Sequence, residues 1–189
     1  PGNGVLFSHF IHHRAGINPK NLWTTFWKLS FSLFLTLNND DKKLILALNG
    51  TVNRKWGQKE ELWLNYFGSS LTVRGWLLPD SRLYYSEKES FRFGHESTNV
   101  SMELRQEIIP KYATSFGAEL GLIFVAFVDA GMIADNWITL TTQLPMYGTG
   151  LGIRIPFPMV DVLRIDYGWG YRNGQWNSGA FHLGIGQKF

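Results

Sequence analysis

The residues able to do chemistry in this chain are few, and their types favour ion pairing over catalysis. Three histidines fall close together, His9, His12 and His13, where a metal site would first be sought. On an extended segment His9 and His13 share one face while His12 takes the other, and no carboxylate stands near at suitable spacing, so no metal is expected. Cysteine is absent, which removes thiolate ligands, disulfides and a cysteine nucleophile together. No glycine-rich phosphate loop occurs, and the acidic and basic residues do not combine as a general acid and base around a substrate pocket. The expectation is a chain with no catalytic residue, no enzymatic activity of its own and no cofactor. What remains is a scattered ionisable set, Arg74, Glu103, Arg105, Asp129 and Arg154. A guanidinium keeps its proton and presents a planar fork that matches a carboxylate, so Arg74 is the natural centre of such a set.

The elements that must position these side chains are strands. In 189 residues there are 20 glycines, 14 phenylalanines, 8 tryptophans and 7 tyrosines, a mixture that suits strands and turns better than helices. The longest unbroken apolar run, Leu122 to Val128, is far short of the roughly 20 residues of a spanning helix, which excludes a helical membrane protein. A formal charge of +3, spread thinly through the chain, makes no nucleic-acid footprint. Pro1-Gly2-Asn3-Gly4 has neither the basic start nor the apolar core of a signal peptide, so the chain reads as a processed product or an excerpt.

Eight strands are predicted, at about 3–13, 26–38, 43–54, 99–109, 119–129, 149–157, 161–169 and 179–189. Most have the nine to eleven residues of a tilted strand that crosses a bilayer. Period-two alternation is plain in the second, where Leu29, Phe31, Leu33, Leu35 and Leu37 oppose Lys28, Ser30, Ser32 and Thr36. It recurs in the seventh, with Leu163, Ile165 and Tyr167 against Arg164, Asp166 and Gly168, and in the eighth, with Phe181, Leu183 and Ile185 against His182, Gly184, Gly186 and Lys188. A soluble sandwich alternates too, so the decision falls to the connections. Those at about 39–42, 110–118 and 158–160 are short, and those at about 14–25, 55–98, 130–148 and 170–178 are longer, the parity of periplasmic turns and external loops in a barrel. Glu103, Arg105, Asp129 at the end of its strand, and Arg154 are then interior groups needing partners. Pro110 and Pro156 fall at strand ends, while Trp23, Trp27, Trp137, Tyr167, Trp169 and Tyr171 gather toward the external side as an interfacial belt. The fold class is all-β, a transmembrane antiparallel β-barrel, with residues 1–189 as one barrel portion.

Two motifs carry a resemblance. Val73-Arg74-Gly75-Trp76 follows the small-residue lead Gly68-Ser69-Ser70, and Phe127-Val128-Asp129-Ala130-Gly131 lies in a later strand. In the same order come Ser101 to Arg105, Gly150 to Pro156, Val162 to Gly168 and the ending Phe181 to Phe189. This set resembles the Omp85 superfamily, the outer-membrane insertases and translocases that include the β-barrel assembly protein, its translocation-module relative and two-partner secretion transporters. The resemblance covers roughly residues 68–189, and residues 1–55 match only as generic barrel strands.

The resemblance implies a sixteen-stranded barrel whose long loop lies between strands eleven and twelve. The eight strands then correspond to the last eight, with soluble periplasmic modules and eight further strands upstream. It implies a loop at about 55–98 folded inward, with Val73, Arg74, Gly75 and Trp76 as its lock and Glu103, Phe127, Asp129 and Gly131 as wall partners. Phe181, Leu183, Gly184, Ile185, Gly186 and Phe189 would form the terminal signal strand, a weak edge at a lateral seam. The implied location is integral to the outer membrane of a Gram-negative-type bacterium. Implied partners are outer-membrane lipid and lipopolysaccharide, a missing N-terminal half of the barrel or a second copy, and unfolded β-barrel or secreted clients. Two other functions fit the same strands, a passive anchor or transporter for an attached passenger, and a short self-associating barrel. Some family members attach a lipase-like domain upstream, so the full polypeptide remains open to enzymatic activity.

Overall fold

A computed structural model describes residues 3–15, 23–38, 41–57, 64–80, 89–113, 119–157, 161–186 and 188–189. The chain is all-β. Its long strands are β1 (Gly4–Ala15), β2 (Trp23–Thr36) and β3 (Leu44–Gly57), then, after two short strands β4 (Asn65–Tyr66) and β5 (Phe93–Gly94), β6 (Glu96–Ala113) and β7 (Glu119–Ala134). A short helix α1 (Trp137–Thr142) precedes β8 (Met146–Phe157) and β9 (Asp161–Arg172), and β10 (Gln175–Trp176) and β11 (Ala180–Ile185) complete the chain. Neighbouring long strands pair antiparallel in chain order, and β10 and β11 both pair with β9. The result is one nine-stranded sheet, with β4 and β5 as a separate two-stranded pair between β3 and β6. Among the described residues β1 and β11 do not pair with each other, so the sheet is open.

Alternation decides which way each side chain points. Along β6, Ser97, Asn99, Ser101, Glu103 and Arg105 are buried, whereas Val100, Met102 and Leu104 are exposed. Along β7, Val125, Phe127, Asp129 and Ile133 are buried and Phe124 and Val128 exposed. The sheet is therefore inverted relative to a soluble protein, with charge on the enclosed face and leucine, valine and phenylalanine outside. That is the arrangement a lipid-facing surface requires.

Several boundaries differ from the sequence-based expectation. The strand expected to end at Asp129 runs on to Ala134, which puts Asp129 in mid-strand. Pro110 lies within β6, not at its end, because register shifts between Glu107 and Tyr112 break the ladder there and spare the missing N–H. Trp137 opens α1, whose first turn is capped by Asn136 accepting from the Thr139 amide at 2.9 Å. β1 is described to Ala15 and β2 from Trp23, and the stretch 16–22 between them lies outside the described residues. The last strand stops at Ile185, where 179–189 was expected. Gly186 has a φ of 80°, a conformation that glycine adopts without strain, and Lys188 and Phe189 lie inside the sheet's concavity. The long connection reads 58–95; its stretches 58–63 and 81–88 lie outside the described residues.

Candidate functional site

The described parts of the long connection pack against the inner face of the sheet. Pairing of β4 with β5 brings its two arms together, and Phe67 N–H donates to Arg92 O at 2.9 Å. Arg92 then holds the arms through the carbonyls of Phe67 and Leu77 and pairs with Glu89 at 2.6 Å. Between the arms, the amides of Gly68 and Ser69 both donate to Thr72 Oγ1 at 3.2 Å, which tightens the lead into the tip. Phe67 and Val73 form a buried cluster with Ile133 of β7 and Met146 of β8, with Trp76 and Phe91 against it. Small residues on the wall make this approach possible. A Cβ at Gly131 would strike the Phe67 ring, and one at Gly148 would strike the Arg74 carbonyl oxygen. Gly75 has a φ of 86° and lies against the backbone of Trp169 and Gly170, so both its conformation and its clearance require glycine.

This turn aims Arg74 into the wall, where it has no solvent exposure. Its Nε and Nη2 donate to the two oxygens of Asp129 at 2.7 and 2.9 Å, a bidentate fork, and its own amide donates to Asp129 Oδ2 at 3.0 Å. Nη1 reaches Glu103 Oε1 at 2.5 Å and Asp166 Oδ2 at 3.4 Å. The guanidinium carbon sits 3.6 Å from the centroid of the Phe127 ring, which adds a cation–π contact. Behind this first ring of carboxylates stand other cations. Arg105 Nε donates to Glu103 at 2.7 Å, Arg154 bridges Glu103 and Asp166 at 3.1 and 2.6 Å, and Lys188 Nζ meets Asp129 Oδ2 at 2.9 Å.

Val73, Arg74, Gly75, Trp76, Glu103, Phe127, Asp129 and Gly131 thus occupy one site, in which Trp76 Nε1 donates to Tyr147 O at 2.9 Å. The last strand divides. Phe181, Leu183 and Ile185 are outward and exposed, and Gly184 lies inward against the Arg164 guanidinium. Gly186 and Phe189 stand outside the strand, and the Phe189 ring is 6.3 Å from that of Phe34. His9 accepts from Trp27 Nε1 and His13 meets Thr25 at 2.8 Å on one face of β1, away from this site. Sequence reasoning did not single out Asp166, Asn177, His182 or Lys188. Alternation places Asp166, His182 and Lys188 on the polar face, the signal that could have found them; Asn177, in the connection before β11, left none.

Chemically, the arrangement is a buried network of ion pairs in which each carboxylate meets two or more cations, while Arg154 Nε is left without a hydrogen-bond partner among the described residues. It is suited to fixing a loop in one position. A model of the family described as the Omp85 superfamily domain matches residues 14–189. No curated protein and no solved structure matches the chain.

Proposed function

The chain belongs to the Omp85 superfamily, and from that premise we propose that it is part of an outer-membrane insertase or translocase that assembles or exports β-rich client proteins. The observation that carries this reading is the burial of Arg74 against Asp129 and Glu103, with the loop tip seated on the inner wall. A charged fork buried this completely gains little net stability over apolar packing, because desolvation offsets the attraction. Removing one partner, however, costs about 3–5 kcal/mol, so the lock discriminates sharply between a docked and an undocked loop. In this reading the loop divides the lumen and keeps the barrel in its working shape.

The edge formed by β11 is the second working part. It is six residues long, pairs only with β9 among the described residues, and contains Gly184, which contributes no side chain to packing. An edge of this kind offers free donors and acceptors to an incoming strand, the chemistry of β-augmentation. The outward leucines, valines and aromatics suit outer-membrane lipid as their neighbour, with lipopolysaccharide at the external rim. The open sheet suits a complementary half, either upstream in the same polypeptide or from a second copy.

The experiment is Arg74→Ala in the full-length protein, with client assembly or secretion as the readout. The expected result is a loss of at least tenfold in client yield, with Arg74→Lys intermediate because an ammonium cannot fork across Asp129. Full activity of the alanine variant at normal abundance would overturn the reading.

A further inference from the structure

The loop tip is also held from a side that Arg74 does not use. Asn177 Nδ2 donates to Gly75 O at 2.7 Å, and Gly75 N–H donates to His182 Nε2 at 2.9 Å, so both backbone polar groups of this glycine are satisfied by side chains from the last strand and its approach. Lys188 adds two contacts, donating to Thr72 O at 2.8 Å and to Asp129 Oδ2 at 2.9 Å, the same oxygen that receives Arg74 Nε. Its side chain is 2% exposed. Asn177 stands in the connection between β10 and β11, His182 on β11, and Lys188 just beyond it, after Gly186 has turned the chain inward. The three residues therefore come from one segment of chain, and three of their four contacts converge on residues 72–75.

We propose that Asn177, His182 and Lys188 are positioning residues that clamp the loop tip to the last strand, so that the edge strand and the loop seat and release together. The inference rests on the loop-lock reading above and adds to it a coupling between lock and edge. Two physical points support it. If β11 leaves its place beside β9, the Gly75 amide and carbonyl lose their partners in a buried setting, where an unmade hydrogen bond is costly. Asp129 at the same time loses one of its two cations. Coupling of this kind is reciprocal, so an undocked loop must loosen the edge by the same factor by which a displaced edge loosens the loop.

The test is hydrogen exchange on the full-length protein in membranes, read at the amides of residues 72–76 and of β11. Asn177→Asp keeps the oxygen that accepts from Gly170 and Gly179 but turns an acceptor toward Gly75 O. Asn177→Asp and Lys188→Met should each speed exchange at the tip about tenfold, the effect of one lost hydrogen bond to a buried partner, with β6 and β7 unchanged. Lys188→Arg should restore protection. In the reverse direction, Arg74→Ala should speed exchange in Ala180–Ile185. Being nearly isosteric and outside the strands, Asn177→Asp reports on the clamp even where a Lys188 variant fails to assemble. Unaltered tip protection in Asn177→Asp and Lys188→Met, or unaltered β11 in Arg74→Ala, overturns the clamp. Coupled exchange with undiminished client insertion by Arg74→Ala would leave the clamp standing and remove the functional reading instead.

Discussion

Asp129 accepts more than any other carboxylate of the site: the Arg74 fork, the Arg74 amide and the Lys188 ammonium all meet its two oxygens. Glu103 is shared among Arg74, Arg105 and Arg154, of which Arg74 and Arg154 also pair with other carboxylates and Arg105 lies against the rings of Phe34 and Phe189. Neutralising the two is therefore unequal. Asp129→Asn should destabilise the docked loop by several-fold more than Glu103→Gln, measured as protease sensitivity of the loop in the assembled protein; equal sensitivity would contradict the ranking. His182 supplies a pH dependence with a definite sign. Its Nε2 accepts from Gly75, which it can do only while that nitrogen is unprotonated, and it is faced by Asp129, Asp166, Arg74 and Lys188. As pH falls through the imidazole titration the bond is lost, so tip protection should drop on acidification and stay flat above it, and His182→Gln should abolish the step. At this scale the sequence was informative about Arg74, Glu103 and Asp129 because their motifs and strand faces could be read. It was silent about Asn177, because a hydrogen bond made by a residue outside any strand across 102 positions has no local pattern.

At the scale of elements, each of the eight expected strands has a counterpart, the seven long strands and the six-residue β11, with alternation plainest in β2, β9 and β11, and the strand ends were not legible. β7 continues past Asp129 through Ala130, Gly131, Met132, Ile133 and Ala134, a stretch with no polar alternation to announce a strand, because its inner face packs on an apolar loop cluster in place of water. The pairs β4, β5 and β10 are two residues each, too short for any period to register, and α1 is six residues. The inward turn at Gly186 was hidden for another reason. Phe189 continues the outward register of Phe181, Leu183 and Ile185, and only its contacts with Phe34 and Arg105 place it inside. The glycines of the wall give this scale its prediction. Gly148→Ala puts a methyl where the Arg74 carbonyl oxygen lies, on backbone that cannot yield cheaply. The substitution should cost the docked loop about 1–3 kcal/mol while β7 to β9 pair normally. A loop as protease-resistant as the parent's would show that the wall does not need this clearance.

For the whole molecule, the sheet's inverted polarity and the two edges left unpaired among the described residues belong together. Strands that leave charge on the enclosed face and an apolar band on the outer face suit lipid better than water, and the proposed closure by further strands within lipid would satisfy both surfaces. Alternation alone could not distinguish lipid from a packed second sheet. The connection lengths pointed to lipid, and the motifs and the family match over residues 14–189 supported the same choice. The most direct measurement is a nitroxide scan along β6 of the full-length protein in lipid, with single cysteines at Asn99, Val100, Ser101, Met102 and Leu104. Collision with lipid-dissolved oxygen should be high at Val100, Met102 and Leu104 and low at Asn99 and Ser101, a clean period of two. A flat profile, or ready access of a water-soluble relaxant to the three apolar positions, would contradict the account.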